Sequence, residues 1–281
     1  MLNFFNKKKT ELKHITIENK LLLSPINHPL EGFMKEFRLY DRFLPVLAKY
    51  LPNDKKIIDV GANIGDTLFG MIDNCSSKFY CIEPSDHFFS FLEKNVCNLS
   101  EENRNRIILL KEMIGTGSFK GVLQHYHDGS AKLKLDQIND HKYISLDNLD
   151  ISDVILIKVD TDGFDFDVIE SAKQICKESK PILFWENEIS EDFQLNGFEQ
   201  MYYNLLELGY DTLYIFDNFG NIIFENSNFE TLKQLNTYIY SMKKYDCTRT
   251  IFYTDVLAVS NKHKGLVTNA IEDYKRSCIL K

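Results

Sequence analysis

The stretch IIDVGANIGDT, residues 57–67, decides how the rest of the chain is read. Ile57, Ile58, Asp59 and Val60 form a short, mainly apolar run, as a buried strand does, and it passes directly into Gly61, Ala62, Asn63, Ile64, Gly65, Asp66 and Thr67. A helix is expected from there to about residue 74, then a second strand over 78–82 that ends on Glu83 and Pro84. Strand, glycine turn, helix, strand, acid is the first half of a nucleotide-binding α/β unit. The glycines let backbone approach a ligand. Glu83 follows Gly61 by about 20 residues, the spacing of a carboxylate that accepts both ribose hydroxyls.

A dinucleotide site calls for G-x-G-x-x-G, because a pyrophosphate must lie on exposed N–H groups at the helix start. Here the turn reads G-A-N-I-G-D, without the second and third glycines of that fingerprint. Asp59 and Asp66 bracket it and would repel a pyrophosphate, whereas they suit a ligand carrying an ammonium and a sulfonium. The turn therefore points to S-adenosyl-L-methionine, held by Asp59, Gly61, Asn63, Gly65, Asp66 and Thr67, with Glu83 on the ribose. Ser85 caps the next helix, whose first turn commonly borders the nucleoside. Met113 and Ile114 end the third strand, where an adenine would be sandwiched.

The composition sets outer limits. With 281 residues, 44% hydrophobic and 26% charged, the chain reads as a globular protein with one substantial core. A net charge of −8 argues against nucleic acid, which needs a cationic footprint. Six cysteines show no metal-like pairing and read as free thiols of a cytoplasmic chain. No apolar stretch is long enough to span a membrane, and the basic start at 1–9 would give at most peripheral membrane contact.

Around the core domain, 55–260, the sequence suggests an N-terminal extension over 1–54 and a tail over 261–281. The extension reads as a small hairpin or an edge strand over 14–23, then a helix over 30–50 that is interrupted or restarted near Pro45 and is placed where it could cover the cofactor. Residues 119–135 alternate on either side of Asp128-Gly129, a hairpin turn signal, which puts His125 and His127 on one strand face beside an acceptor site. Further strands are expected at 143–149, 154–159, 181–185, 210–216, 222–224 and 251–259, with helices at 165–177, 197–208 and 229–245. The tail is expected as a peripheral helix.

The run VILIKV, 154–159, is the best buried-strand candidate, and it discharges into DTDGFDFD, 160–167. Asp165 and Asp167 suit the positive start of the next helix. Asp160 and Asp162 precede it, at the sheet edge where ligands of open α/β folds bind. Residues 181–187 deliver Trp185, Glu186 and Asn187 to the same edge.

In its matching pieces, IIDVGANIGDT (57–67), CIEPS (81–85), SLDNL (145–149), IKVDTDGFDFDVIE (157–170) and PILFWEN (181–187), the chain resembles the FkbM family of S-adenosylmethionine-dependent methyltransferases. The resemblance covers about 55–260. It implies a class I, Rossmann-like α/β sandwich: a mostly parallel seven-stranded sheet with an antiparallel edge strand, helices on both faces, and an added N-terminal segment and hairpin. It also implies methylation of hydroxyl groups on sugars or natural products. One departure is that the family's D-V-E-G-x-E is shortened here to Asp160-Thr161-Asp162-Gly163-Phe164-Asp165, which keeps the charges but loses reach.

The expected reaction is in-line transfer of a methyl group to a sugar hydroxyl of a glycan or glycolipid precursor. Asp160 lies near the methionine ammonium and the methyl group. Asp162, His125, Asp165 and Glu186 are the pool for acceptor binding and base catalysis, with Asp162 preferred because it is fixed at a strand end. No metal is assigned, although Asp160, Asp162 and Asp147 could supply oxygens to a divalent ion. Trp185 and Tyr126 are expected near the acceptor mouth. Other readings kept open are a polyketide-like alcohol or an amine or amide as acceptor, a non-catalytic scaffold retaining the fold, and a dinucleotide oxidoreductase.

Overall fold

The computed structural model describes residues 11–119, 121–125, 129, 131–135 and 142–279. The basic start at 1–9, Tyr126, His127 and the side chain of His125 lie outside them.

The chain opens with an antiparallel hairpin, β1 (Leu12–Ile17) and β2 (Lys20–Pro25), in register from Leu12↔Pro25 to Ile17↔Lys20. Its turn residues Glu18 and Asn19 have φ of 45° and 65°, the tight two-residue turn that matches strand twist. Alternation turns Ile15, Ile17 and Leu22 inward. Two short helices follow, α1 (Leu30–Glu36) and α2 (Phe43–Ala48). The break falls between them and not at Pro45. Pro45 sits in the first turn of α2, where a missing N–H breaks no helical bond.

The core then alternates: β3 (Lys56–Val60), α3 (Asp66–Met71), β4 (Lys78–Ile82), α4 (Asp86–Cys97), α5 (Glu101–Arg104) and β5 (Ile107–Leu110). A short β6 (Met113–Ile114) leads to the inserted hairpin of β7 (Val122–His125) and β8 (Ala131–Lys134), paired from Val122↔Lys134 to His125↔Ala131. After β9 (Tyr143–Ile144) and a 3-10 turn at Leu146–Leu149, the core resumes with β10 (Val154–Val159), α6 (Asp165–Glu170), α7 (Lys173–Ser179) and β11 (Ile182–Asn187). It ends with α8 (Asp192–Glu207), β12 (Tyr210–Asp217), β13 (Ile222–Ser227), α9 (Phe229–Lys244), β14 (Thr254–Ser260) and α10 (Lys264–Ile279).

Eight strands form the main sheet in the order β13-β12-β14-β11-β10-β3-β4-β5. From β5 to β11 every pairing is parallel. An antiparallel strand, β13, does lie at one edge, but β14 is also antiparallel and is inserted between β11 and β12. The eighth strand is the return after β12, longer than the sequence suggested.

Apolar side chains fill both faces of the sheet. One layer gathers Phe43, Leu47, Phe69 and Leu92, the other Phe166, Ile169, Phe198 and Met201. The tail helix α10 is not peripheral. Val267, Ala270, Ile271 and Tyr274 are buried, Tyr274 meets Phe43 edge-on at 5.4 Å, and its hydroxyl donates to Gly220 O at 2.7 Å. Trp185 is also placed differently from the expectation. It is fully buried against Tyr202, because alternation along β11 turns Trp185 and Asn187 into the core and leaves Glu186 on the opposite side. Among the described residues no helix is long and apolar enough to cross a membrane.

Candidate active site

Because β4, β3, β10 and β11 are parallel neighbours, their carboxyl ends share one edge. Strand order then fixes the order of the groups that follow them: Glu83, Gly61, Asp160 with Asp162, and Glu186 with Glu188. At about 4.8 Å per strand, the row is roughly 14 Å long. A cavity of about 390 Å³ lies along it, within the usual range for small-molecule sites.

At the β4 end, Glu83 is buried, and its two oxygens accept from Asn63 N–H at 2.9 Å and Ser85 N–H at 2.8 Å. Two backbone donors thus aim the carboxylate, and each oxygen keeps a free lone pair. Burial pushes its carboxyl up to about 7, against those donors. Met113 and Ile114 line the same end. Ser85 is not a lining residue, since its hydroxyl caps α4 by accepting from Phe88 N–H at 3.2 Å.

The glycine turn is held by Gly61 and Ala62 N–H groups donating to Ile82 O at 2.9 and 3.0 Å. Gly61 has φ +77°, and a Cβ there would stand 1.8 Å from Asp160 O, so only glycine fits. Asp66 and Asp160 line the cavity. Gly65 does not, having φ +96° at the start of α3, and Thr67 faces a smaller neighbouring hollow. Asp59 lies beneath the turn. It is Lys158's partner in the strand register, and its carboxylate is 3.2 Å from the Lys158 ammonium. Lys158 also reaches Asp160 at 3.5 Å and donates to Gly61 O at 3.2 Å. Burial pushes Asp59 up and Lys158 opposes it. For Lys158 burial acts downward, and Asp59, Asp160 and Asp66 together hold it well above the usual lysine range.

At the β11 end, Asp162 has φ 52° and is followed by Gly163 at φ 90°, a strained turn of the kind found at functional sites. Asp165 braces that turn from below. It is fully buried, accepts from Thr161 N–H and Oγ1–H at 3.2 and 3.0 Å, and does not line the cavity. Burial pushes its carboxyl up to about 8. Asp162 lines the cavity and meets Lys132 of β8 at 3.1 Å, and the same ammonium reaches Glu188 at 3.2 Å. Desolvation takes Asp162 up to about 6 despite Lys132. Glu186 lines the cavity with a buried Oε2 that accepts no hydrogen bond among the described residues. Burial, then Asp160, Asp162 and Glu188, raise it well above the carboxylate range.

One oxygen from each of Asp162, Glu186 and Glu188 falls within 4.8 Å of the others, close enough to hold a metal ion. Asp147, considered for that role from sequence, instead starts α7 by accepting from Gln174 and Ile175 N–H at 2.9 and 3.0 Å. Asn187, expected at the edge as an amide, points into the core, donating to Asn236 Oδ1 at 2.7 Å. Phe119 and Phe164 line the acid-rich end, 5.5 Å apart and edge-on.

Asn63 joins two covers to this floor. Its amide donates to Gly129 O of the inserted hairpin at 3.0 Å, and its Oδ1 lies 3.4 Å from His28 Nε2 of the N-terminal extension. Burial lowers His28 to about 4, so its ring is neutral at physiological pH. Leu30, Phe33 and Tyr40 of the extension line the cavity. Sequence reasoning missed Lys158, Lys132 and His28. A lysine inside VILIKV was the available signal for the first; the other two carried none.

A model of the methyltransferase FkbM domain matches residues 59–212. Solved structures that match the chain include an FkbM methyltransferase from Methylobacillus flagellatus KT, at 15% identity and TM-score 0.41 over 82% of this chain. This chain spans 58% of that protein's length. Others are an O-methyltransferase from Bacillus cereus in complex with SAH (12% identity, TM-score 0.44, 83% and 90% of the two chains) and TYW2 of Pyrococcus horikoshii in complex with MeSAdo (13%, 0.47, 90% and 72%). No curated protein matches the chain. With the domain match extending over more than half of its length, the chain belongs to the FkbM methyltransferase family.

Proposed function

We propose that the protein transfers a methyl group from S-adenosylmethionine to a hydroxyl of a sugar in a glycan or glycolipid precursor. The observation that carries this reading is one continuous cavity with the aimed Glu83 carboxylate at one end and the acids Asp162, Glu186 and Glu188 at the other. Glu83 suits the two ribose hydroxyls, Met113 and Ile114 the adenine, and Asp66 and Asp160 the ammonium and sulfonium. The sulfonium charge disappears on methyl transfer, so these acids favour substrate over product and assist its release. Six unpaired cysteines suit a reducing, cytoplasmic setting.

At the acceptor end, carboxylates accept hydroxyl hydrogen bonds, and the faces of Phe119 and Phe164 suit the C–H faces of a sugar ring. Attack is in line with the departing thioether, so alignment dominates and the proton leaves late. Asp162, fixed on its strained turn, is the group assigned to take that proton. The test is methyl transfer from labelled cofactor onto glycan and lipid extracts. Label on a sugar hydroxyl is the expected result. Label on a non-carbohydrate alcohol or an amine would reassign the acceptor, and binding without any transfer would favour a scaffold.

A further inference from the structure

We propose that Asp162, Glu186 and Glu188 form a site for one divalent cation of the magnesium or manganese class. The mutual spacing of their oxygens, within 4.8 Å, is that of ligands around one hard ion, whose metal–oxygen distances run about 2.0–2.6 Å. Their backbone settings converge independently. Asp162 is carried on the positive-φ turn after β10, while Glu186 is the next-to-last residue of β11 and Glu188 follows directly after the strand.

The second observation is Glu186 itself. Its Oε2 is buried and accepts nothing from any described group, while the residue as a whole lines the cavity. An ionised carboxylate left so is costly unless a cation arrives. The ammonium groups nearby do not serve it: Lys132 pairs with Asp162 and Glu188, and Lys243 with Glu188 at 3.6 Å. Of the three carboxyl groups, Glu186 is therefore the one with no cation beside it among the described residues. Lys132 has a flexible stem and a side chain 34% exposed, so it can withdraw to solvent when an ion enters. An all-oxygen set selects hard ions over zinc.

The site's use rests on the methyl-transfer reading. An alcohol is a very weak acid and a carboxylate a weak base; a cation on the hydroxyl oxygen makes that proton easier to remove. Magnesium-class ions commonly bind through one or two carboxylates and complete their shell with water and substrate oxygens. A hydroxyl-bearing acceptor fits that vacancy in the coordination shell.

The test is titration of the full chain with Mn²⁺, following free ion by electron paramagnetic resonance, with S-adenosylhomocysteine affinity measured in parallel by calorimetry. One ion per chain is expected. Glu186→Gln and Glu188→Gln should each weaken it by roughly tenfold or more, with cofactor-product affinity within about threefold of wild type. Asp192→Asn, at an exposed acid on α8, should change neither. Absence of saturable Mn²⁺ binding, or equal affinity in both glutamine variants with their fold intact, would overturn the site. Mn²⁺ bound as expected in a wild type that ignores S-adenosylhomocysteine would support the site and sink the cofactor reading, so the two failures are separable.

Discussion

Replacing Lys158 by Met tests how the glycine turn is held. The methylene stem has a hydrophobic equivalent of similar length, so the change removes mainly a charge. Asp59 then loses a cation 3.2 Å away, an attraction of about 5 kcal/mol at an effective dielectric of 20. Asp160 loses a contact at 3.5 Å, but its side chain is 49% exposed and water screens that loss. Asp59 has an escape, which is to bind a proton. That costs about 1.4 kcal/mol for each pH unit above its unfolded value near 3.9, or about 4 kcal/mol at pH 7 and about 1.5 kcal/mol at pH 5. A carboxyl whose folded pKa is raised loses stability as pH climbs above the unfolded value, so the variant's deficit must grow from pH 5 to pH 7. Urea denaturation at the two pH values measures it. The double variant Lys158→Met with Asp59→Asn should recover most of the loss and all of its pH dependence. A deficit below about 1 kcal/mol at pH 7, or one equal at both pH values, would refute the buried-pair reasoning.

Three further outcomes are expected. Glu83 must be ionised to accept both ribose hydroxyls, and its carboxyl stands at about 7; cofactor affinity should therefore fall about tenfold from pH 8 to pH 6, as calorimetry in the two buffers would show. Asp162→Asn should leave cofactor affinity within about threefold while lowering turnover by roughly two orders of magnitude or more, and near-normal turnover would remove Asp162 as the base. Gly61→Ala places a methyl against Asp160 O at a positive φ; it should destabilise the fold by roughly 2–5 kcal/mol and abolish cofactor binding, read by thermal unfolding with and without ligand.

The strand–turn–strand unit at 57–83 was legible because its signals are local: an apolar run, glycines where φ is positive, and an acid at a fixed interval. Other features depend on partners distant in sequence. The insertion of β14 between β11 and β12 is decided by long-range pairing that no periodicity encodes. Trp185 looked like a ligand-facing aromatic, yet the alternation of β11 sends it inward and turns Glu186 to the cavity. Lys132 reads as one polar residue of an alternating hairpin, and only the fold of that hairpin over the sheet edge brings it to Asp162. The resemblance to a family supplied the fold directly, while the acids shortened from glutamate to aspartate at Asp162 and Asp165 split into two roles: one lines the cavity and one braces the turn beneath it.

The central claim is that this cavity holds S-adenosylmethionine with its ribose on Glu83. Calorimetry of the wild type and Glu83→Gln with S-adenosylhomocysteine, and of the wild type with NAD, tests it most directly. One molecule of S-adenosylhomocysteine should bind per chain, and the glutamine variant should bind it about 10–100-fold more weakly, the worth of charge-assisted hydrogen bonds to a sugar. NAD should give no saturable heat. Binding of NAD alone, or S-adenosylhomocysteine affinity unchanged in Glu83→Gln, would contradict the claim.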